Sequence, residues 1–383
     1  MTPYSRQYLF PKDIKEVVKV LKSKYLTQGP QIEKFEKKLS KKTKSKYAVV
    51  ANSATSALHL ACLALGLKKN DYLWTVPITF IASANCGIYC GAKIDLVDIN
   101  KDTFNIDVKA LEQKLQQAKK KNKLPKILIP VHLGGNPCDL EKINSLAKKY
   151  KFKVIEDASH AFGSRYKNSI IGDCRYSDAV VFSFHPVKPI TSGEGGAVMS
   201  NSYKIYKKIK ILREHGIVRK KNLFKNKKQI KPWYFEQQYL GFNYRLSDIN
   251  AALGSSQVGH LNKFLKKRNN IAEIYYKNLT DKIEFQKKHP NTISARHLFI
   301  IKVQKKIHED FFNFLRSKGI FVQLHYIPIY RHPYYKKKFK FDIKKFPNSE
   351  NYYSTAFSIP IYFSLNKKKQ FKIVNLINSF FKK

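Results

Sequence analysis

Residues 182–196 read FSFHPVKPITSGEGG, and residues 155–163 read IEDASHAFG. The first stretch sets Lys188 in a turn between Pro186 and Pro189 that leads into a glycine-rich strand entry. The second ends an apolar strand on the acidic pair Glu156 and Asp157. Ligands of open α/β sheets gather at the carboxyl ends of the strands, where the Asp157 carboxylate is expected. A lysine able to form an imine, about thirty residues after a strand-end aspartate, is the pair that pyridoxal phosphate needs. The lysine carries the aldehyde, and the aspartate keeps the pyridine nitrogen protonated so that the ring accepts electrons. Either residue alone means little, since Asp157 also reads as a cap or ion-pair partner and Lys188 as one more exposed lysine.

Outward from these stretches, short β-rich runs alternate with amphipathic segments. Strands are expected over 47–51, 72–76, 94–97, 127–131, 153–155 and 179–184. Helices are expected over 13–22, 31–39, 55–65, 80–89, 108–118 and 140–150. That alternation predicts an α/β fold, a mainly parallel sheet covered by helices. Helices resume over 247–267 and 271–279. The pattern then changes to a strand over 297–303, a helix over 310–318, a strand over 321–324 and a closing helix over 370–381. The reading is a large domain over 1–260 with an N-terminal helical segment, and a small α+β domain over 261–383. The basic stretch RKKNLFKNKKQIK (219–231) interrupts the pattern, either as a solvated loop or as a flap over a substrate.

The 383 residues can bury a large core, and a hydrophobic content of 43% is ordinary for a soluble protein. No apolar run approaches the roughly 18 residues of a membrane span, and MTPYSRQYLF lacks the apolar centre of a signal peptide. A cytoplasmic protein without a membrane partner is expected. The formal charge of +46 invites a nucleic-acid reading. The excess is mostly lysine spread from Lys12 to Lys383, with no aromatic RNA-binding signature, so solvated faces are expected and no nucleic-acid partner. Five cysteines without paired spacings, Cys86 and Cys90 among them, read as packed thiols, and no metal site is read.

Between a strand and a helix, NSATSAL (52–58) would expose backbone amides, with hydroxyls from Thr55 or Ser56, to an anion. A helix N-cap without a ligand explains the same residues. Phe80, after Pro77, could stack on a flat heterocycle or simply pack in the core. His160 could hydrogen-bond a phenolic oxygen or serve a structural role.

Together these residues resemble the DegT/DnrJ/EryC1/StrS aminotransferases, pyridoxal-phosphate enzymes acting on nucleotide-linked keto-sugars. The likeness spans nearly the whole chain. It is carried by YLTQGPQIEKFEK (25–37), NSATSALHLA (52–61), VPITFIASA (76–84), IEDASHAFGS (155–164), SFHPVKPITSGEGGAV (183–198), GFNYRLSDINAALG (241–254) and VQLHYIPIY (322–330). The resemblance implies the aspartate-aminotransferase-like (type I) fold, with a seven-stranded sheet flanked by helices on both faces. It makes Lys188 the imine-forming lysine and Asp157 the pyridinium partner. His160 stands where a Gln commonly meets the ring oxygen. It further makes Phe80 the stacking ring and Ala54, Thr55 and Ser183 phosphate contacts. Asn243 would reach the phosphate of a neighbouring subunit, so a homodimer with shared active sites is implied, although a helix-capping role for Asn243 stays open.

Within the family, PYSRQYL (3–9), SKYLTQG (23–29), NSATSAL (52–58), HPVKPIT (185–191) and the QLHY stretch at 323–326 are most similar to the branch that serves pseudaminic acid biosynthesis. That likeness implies transfer of nitrogen from L-glutamate to a UDP-linked 4-keto-6-deoxy-N-acetyl-L-hexosamine. It places Tyr4, Lys24, Tyr25, Leu26, Thr27, Leu324, His325, Tyr326 and Ile327 around the sugar nucleotide. Arg245 and Arg213 are candidates for the donor's carboxylates, and structural salt bridges explain either equally. The rival readings are a sugar dehydratase, which would carry His where Lys188 stands, an aminotransferase for another 3- or 4-keto sugar, and a non-catalytic basic binding protein on this fold.

Overall fold

Short strands of two to five residues, most followed by a helix with a side-chain N-cap, build the centre of the protein. The computed structural model describes residues 1–226 and 231–382. The sheet contains β1 (Tyr47–Ala51), β2 (Tyr72–Thr75), β3 (Lys93–Leu96), β4 (Ile127–Leu128), β5 (Lys153–Asp157), β6 (Ala179–Ser183) and β7 (Gly196–Ser200). Their order across the sheet is β1-β7-β6-β5-β4-β2-β3. Only β7 runs against its neighbours. The glycine-rich entry after Lys188 opens this reversed strand.

Side chains alternate across the sheet as the pleat requires. Val49, Ala51, Leu73, Ile155 and Val181 point to a face covered by α3 (Ala54–Ala64), α4 (Ala82–Tyr89) and α7 (Tyr203–Arg213). Ala48, Val50, Trp74, Val154 and Val180 point to the face covered by α2 (Pro30–Thr43), α5 (Val108–Lys120), α6 (Leu140–Tyr150) and α8 (Asp248–Val258). Starts are set by side chains that accept first-turn amides: Ser53 for α3, Asp107 for α5, Asp139 for α6, Ser202 for α7 and Ser247 for α8. The doubly covered, seven-stranded sheet that the family resemblance implies is present.

A separate apolar cluster gathers α9 (Leu261–Asn278), β9 (Phe299–Lys302), α10 (His308–Ser317), β10 (Ala356–Ile359) and the last helix (Lys367–Phe380). Here β9 lies between β8 (Glu284–Phe285) and β10. The N-terminal residues join this region, because Thr2 bridges Ile320 and the Tyr4 carbonyl accepts the Ile361 amide.

Several expected boundaries move for identifiable reasons. No strand forms over 321–324: Thr2 pairs with Ile320 and Gln323 with Ser358, one residue each, so no ladder develops. The strand at 127 stops at Leu128, because Pro130 has no N–H to donate. The helix expected over 80–89 starts at Ala82 and leaves Phe80 in the preceding turn. Instead of breaks near 267–271, the helices divide at Gly259 and His260, whose amides bond three residues back to Ser256 and Gln257. Through the expected gap α9 is continuous, with buried Arg268 donating to the carbonyls of Arg296, His297 and Ile361. Of the basic stretch at 219–231, residues 227–230 lie outside the described residues. Among the described residues, no helix is long and apolar enough to cross a membrane.

Candidate active site

The carboxyl ends of β5 and β6 and the start of α3 open onto one cavity of about 350 Å3. Its wall includes Lys188, Asp157, His160, Ser183, Ala54, Thr55, Phe80, Tyr4, His325 and Tyr326. Residues as far apart in sequence as Tyr4 and Tyr326 meet here, and the sheet order sets the ends of β5 and β6 side by side among them.

At one end, Ser53 Oγ takes the Ser56 amide at 3.1 Å. The Ala54 and Thr55 amides have no helix carbonyl within reach of the first turn and remain available to an anion. Ser183 adds a hydroxyl there. The neighbouring strand approaches closely only because residue 196 is glycine: a Cβ on Gly196 would lie 2.5 Å from the Ala54 nitrogen. At the other end, Asp157 Oδ2 accepts from Ser83 Oγ at 2.6 Å and Oδ1 from the Ser159 amide at 3.1 Å, so the carboxylate is fixed. Its sequence neighbour Glu156 points to the opposite face of β5, where it binds Ser177 Oγ (2.6 Å) and His132 Nε2 (2.9 Å). The acidic pair thus divides into one structural residue and one site residue.

Lys188 sits in a turn closed by its own amide on the His185 carbonyl, 2.9 Å. Burial pulls its ammonium from the ordinary 10.5 down to about 8, against the opposing attraction of Asp157. The turn is held from outside by Ser5, whose hydroxyl donates to the Val187 carbonyl at 3.1 Å. Burial, followed by the positive charge of Lys188, keeps both His160 and His325 neutral, with His325 lowered to about 3. His160 Nδ1 accepts the Gly134 amide (3.3 Å), and its Nε2 faces Tyr326 Oη (3.1 Å). Phe80 is 55% exposed, a large apolar ring presenting a free face to the cavity.

These features suit pyridoxal phosphate: an anion cradle, a flat apolar wall, a fixed carboxylate and an amine of lowered basicity, all around one cavity. The family model described as the DegT/DnrJ/EryC1/StrS aminotransferase family matches residues 8–378. The chain belongs to the DegT/DnrJ/EryC1/StrS aminotransferase family. Its members depend on pyridoxal phosphate, and the chain is a pyridoxal-phosphate-dependent aminotransferase.

Among curated relatives, the chain is similar to the UDP-4-amino-4,6-dideoxy-N-acetyl-beta-L-altrosamine transaminase of Campylobacter jejuni, 42% identical over 379 residues, covering 96% of this chain and 94% of the relative. Among solved structures it is similar to Helicobacter pylori PseC, an aminotransferase involved in the biosynthesis of pseudoaminic acid. That match has a TM-score of 0.89 and 32% identity, and covers 100% of this chain and 99% of that one. A sugar aminotransferase from Streptococcus pneumoniae in its PMP form superposes with a TM-score of 0.91 at 27% identity, covering 99% and 98%.

Not every expected residue of this aminotransferase reaches the cavity. Lys24, Tyr25, Leu26 and Thr27 are exposed, and Thr27 bridges Ser247. Asn243 is also exposed and is bridged to Glu214. Leu324 packs on the core and Ile327 faces outward, while His325 and Tyr326 between them enter the cavity. Arg213 does not line it: the guanidinium is buried against Glu36 and the Val50 carbonyl, both at 2.7 Å. Arg245 lines a different hollow with Gln28, Glu33 and Arg219. Sequence reading missed Ser83, Ser159 and Gly134, which fix Asp157 and His160. A serine on the otherwise apolar face of α4 was the available signal for Ser83.

Proposed function

We propose that the chain transfers the amino group of L-glutamate to C4 of a UDP-linked 4-keto-6-deoxy-N-acetyl-L-hexosamine. The products are UDP-4-amino-4,6-dideoxy-N-acetyl-beta-L-altrosamine, for pseudaminic acid biosynthesis, and 2-oxoglutarate. The observation that carries transamination is the convergence of Lys188, Asp157 and the open N-terminus of α3 on one cavity. The 42% identity to the C. jejuni transaminase supports the choice of sugar.

When bound, pyridoxal phosphate supplies an imine-forming aldehyde and an electron sink. The chain's own groups account for the rest. The amides of Ala54 and Thr55, with Ser183, bind a phosphate, and the Phe80 face orients a flat ring. Asp157, gripped by Ser83 and Ser159, holds a proton on a ring nitrogen. Lys188, half neutral near pH 8, takes a proton at Nζ from the donor's α-carbon and returns one to C4 of the sugar. Tyr4, Val131, Leu58 and Tyr326 wall the site against water.

The segment with Lys24, Tyr25, Leu26 and Thr27, bridged to Ser247, and Asn243, bridged to Glu214, are exposed and do not line this chain's cavity. In a homodimer these exposed residues would complete the partner's site, with Asn243 on the phosphate and the segment on the sugar nucleotide. Tyr4, His325 and Tyr326 would meet the sugar from within the same chain. We further read residues 1–260 and 261–383 as two domains and the enzyme as cytoplasmic.

The test is absorbance of the purified protein with pyridoxal phosphate, then L-glutamate, then UDP-linked 4-keto sugars, with Lys188→Ala alongside. A visible band that bleaches with glutamate and returns with this keto-sugar supports the reading. A band that returns only with a differently configured sugar moves the enzyme to another branch. No Lys188-dependent band overturns it in favour of a basic binding protein.

A further inference from the structure

Two hydrogen bonds run in series through the wall of the cavity. The Gly134 N–H donates to His160 Nδ1 at 3.3 Å, and His160 Nε2 lies 3.1 Å from Tyr326 Oη. The first bond sets the direction of the second. An Nδ1 that accepts carries no proton, so the neutral ring bears its proton on Nε2. Nε2 is therefore the donor and the Tyr326 oxygen the acceptor. The Tyr326 O–H is turned away from His160, and among the described residues no other acceptor is found for it.

The surroundings lock this arrangement. Gly134 has φ +68°, and a Cβ there would press to 3.0 Å of Gln286 Oε1, so its amide direction is tied to glycine. The His297 ring packs on His160 at 4.3 Å and is itself kept neutral by burial. Tyr326 lines the cavity with its ring 6.0 Å from Phe80, the flat wall on which a heterocycle would stack. Burial raises the Tyr326 phenol, so the hydroxyl keeps its proton.

We propose that Gly134, His160 and Tyr326 form a relay that aims the Tyr326 hydroxyl proton at the phenolic oxygen of the bound cofactor. Tyr326 is then the direct donor, and His160 is a positioning residue that acts through it. The inference deepens the cofactor reading and rests on it.

The experiment is a pH titration of the visible band of the pyridoxal-phosphate-loaded protein, a measurement independent of turnover. A donor on the phenolic oxygen stabilises the chromophore that has lost its proton, so removing it raises the midpoint. Tyr326→Phe is expected to raise the midpoint by about one pH unit. His160→Leu raises it similarly. His160→Gln, which offers an acceptor and a donor on one side chain, stays near the unsubstituted protein. If His160→Leu does not fold, Tyr326→Phe decides alone. A Tyr326→Phe protein that binds the cofactor with an unchanged midpoint overturns the relay and leaves the cofactor reading intact. An unchanged midpoint with a raised KM for the keto-sugar also overturns it and assigns the hydroxyl to the sugar's carbonyl oxygen. Absence of any Lys188-dependent band in the unsubstituted protein overturns the cofactor reading itself.

Discussion

Replacing Arg213 by methionine separates structure from catalysis at a residue that could have served the donor's carboxylate. Arg213 is 4% exposed, with Nη1 on both Glu36 Oε1 and the Val50 carbonyl at 2.7 Å. Glu36 Oε1 also accepts the Val50 amide at 3.0 Å. Because β1 is an edge strand, the pair satisfies both backbone groups of Val50 on the side where no strand follows. Arg213→Met leaves a buried carboxylate facing an unpaired carbonyl. Breaking a buried ion pair from one side costs about 3–5 kcal/mol. Adding Glu36→Gln removes the stranded charge while keeping an acceptor for the Val50 amide, so the double variant should recover at least ~1 kcal/mol of that loss. Urea denaturation of the three variants measures this, and the KM for L-glutamate of the folded fraction should not change. A loss below about 1 kcal/mol would refute the structural reasoning. So would a raised glutamate KM at unchanged stability, which would return Arg213 to the site.

Other outcomes follow from single contacts. The lowered ammonium of Lys188 means that apo protein should capture pyridoxal phosphate faster as pH rises through about 8 and level off above it, as stopped-flow absorbance would record. A midpoint near the ordinary 10.5 would contradict the burial argument. Ser183→Ala should weaken cofactor retention by roughly ten- to a hundred-fold, the range for one hydrogen bond to a charged group, measured by equilibrium dialysis. Asp248 is fully buried and accepts the Gly29 amide at 2.7 Å and the Gln31 amide at 2.9 Å. Asp248→Ala should destabilise by about 1.5–3 kcal/mol and raise the KM for the sugar nucleotide, because those bonds anchor the segment at Lys24–Thr27.

Legibility in the sequence followed the range of the interactions. The strands around β5 and β6 were readable because buried runs such as VVF leave no other home for their side chains. Asp157 and Lys188 were readable because chemistry demands both at one cavity. What failed depended on partners remote in the chain. The stretch at 321–324 has strand composition, yet its neighbours are single residues at Thr2 and Ser358. Arg268 looked like a gap in a helix face, but three distant carbonyls make it a core residue. The reversed β7 and the helix after it were only hinted at by the glycines before them. Asn243 and the segment at Lys24–Thr27 lie outside the cavity of a single chain, and their role turns on a second copy. His160 was identified without its tautomer, which depends on the amide of Gly134 and a left-handed turn.

The measurement that bears most directly on the central claim is the fate of nitrogen from [15N]L-glutamate, followed by mass spectrometry with the UDP-linked 4-keto-6-deoxy-N-acetyl-L-hexosamine as acceptor. The account predicts label at C4 of the sugar, 2-oxoglutarate in equal amount, and loss of both with Lys188→Ala. A sugar that loses oxygen without gaining labelled nitrogen, or label that stays in glutamate while the cofactor is bound, would contradict it.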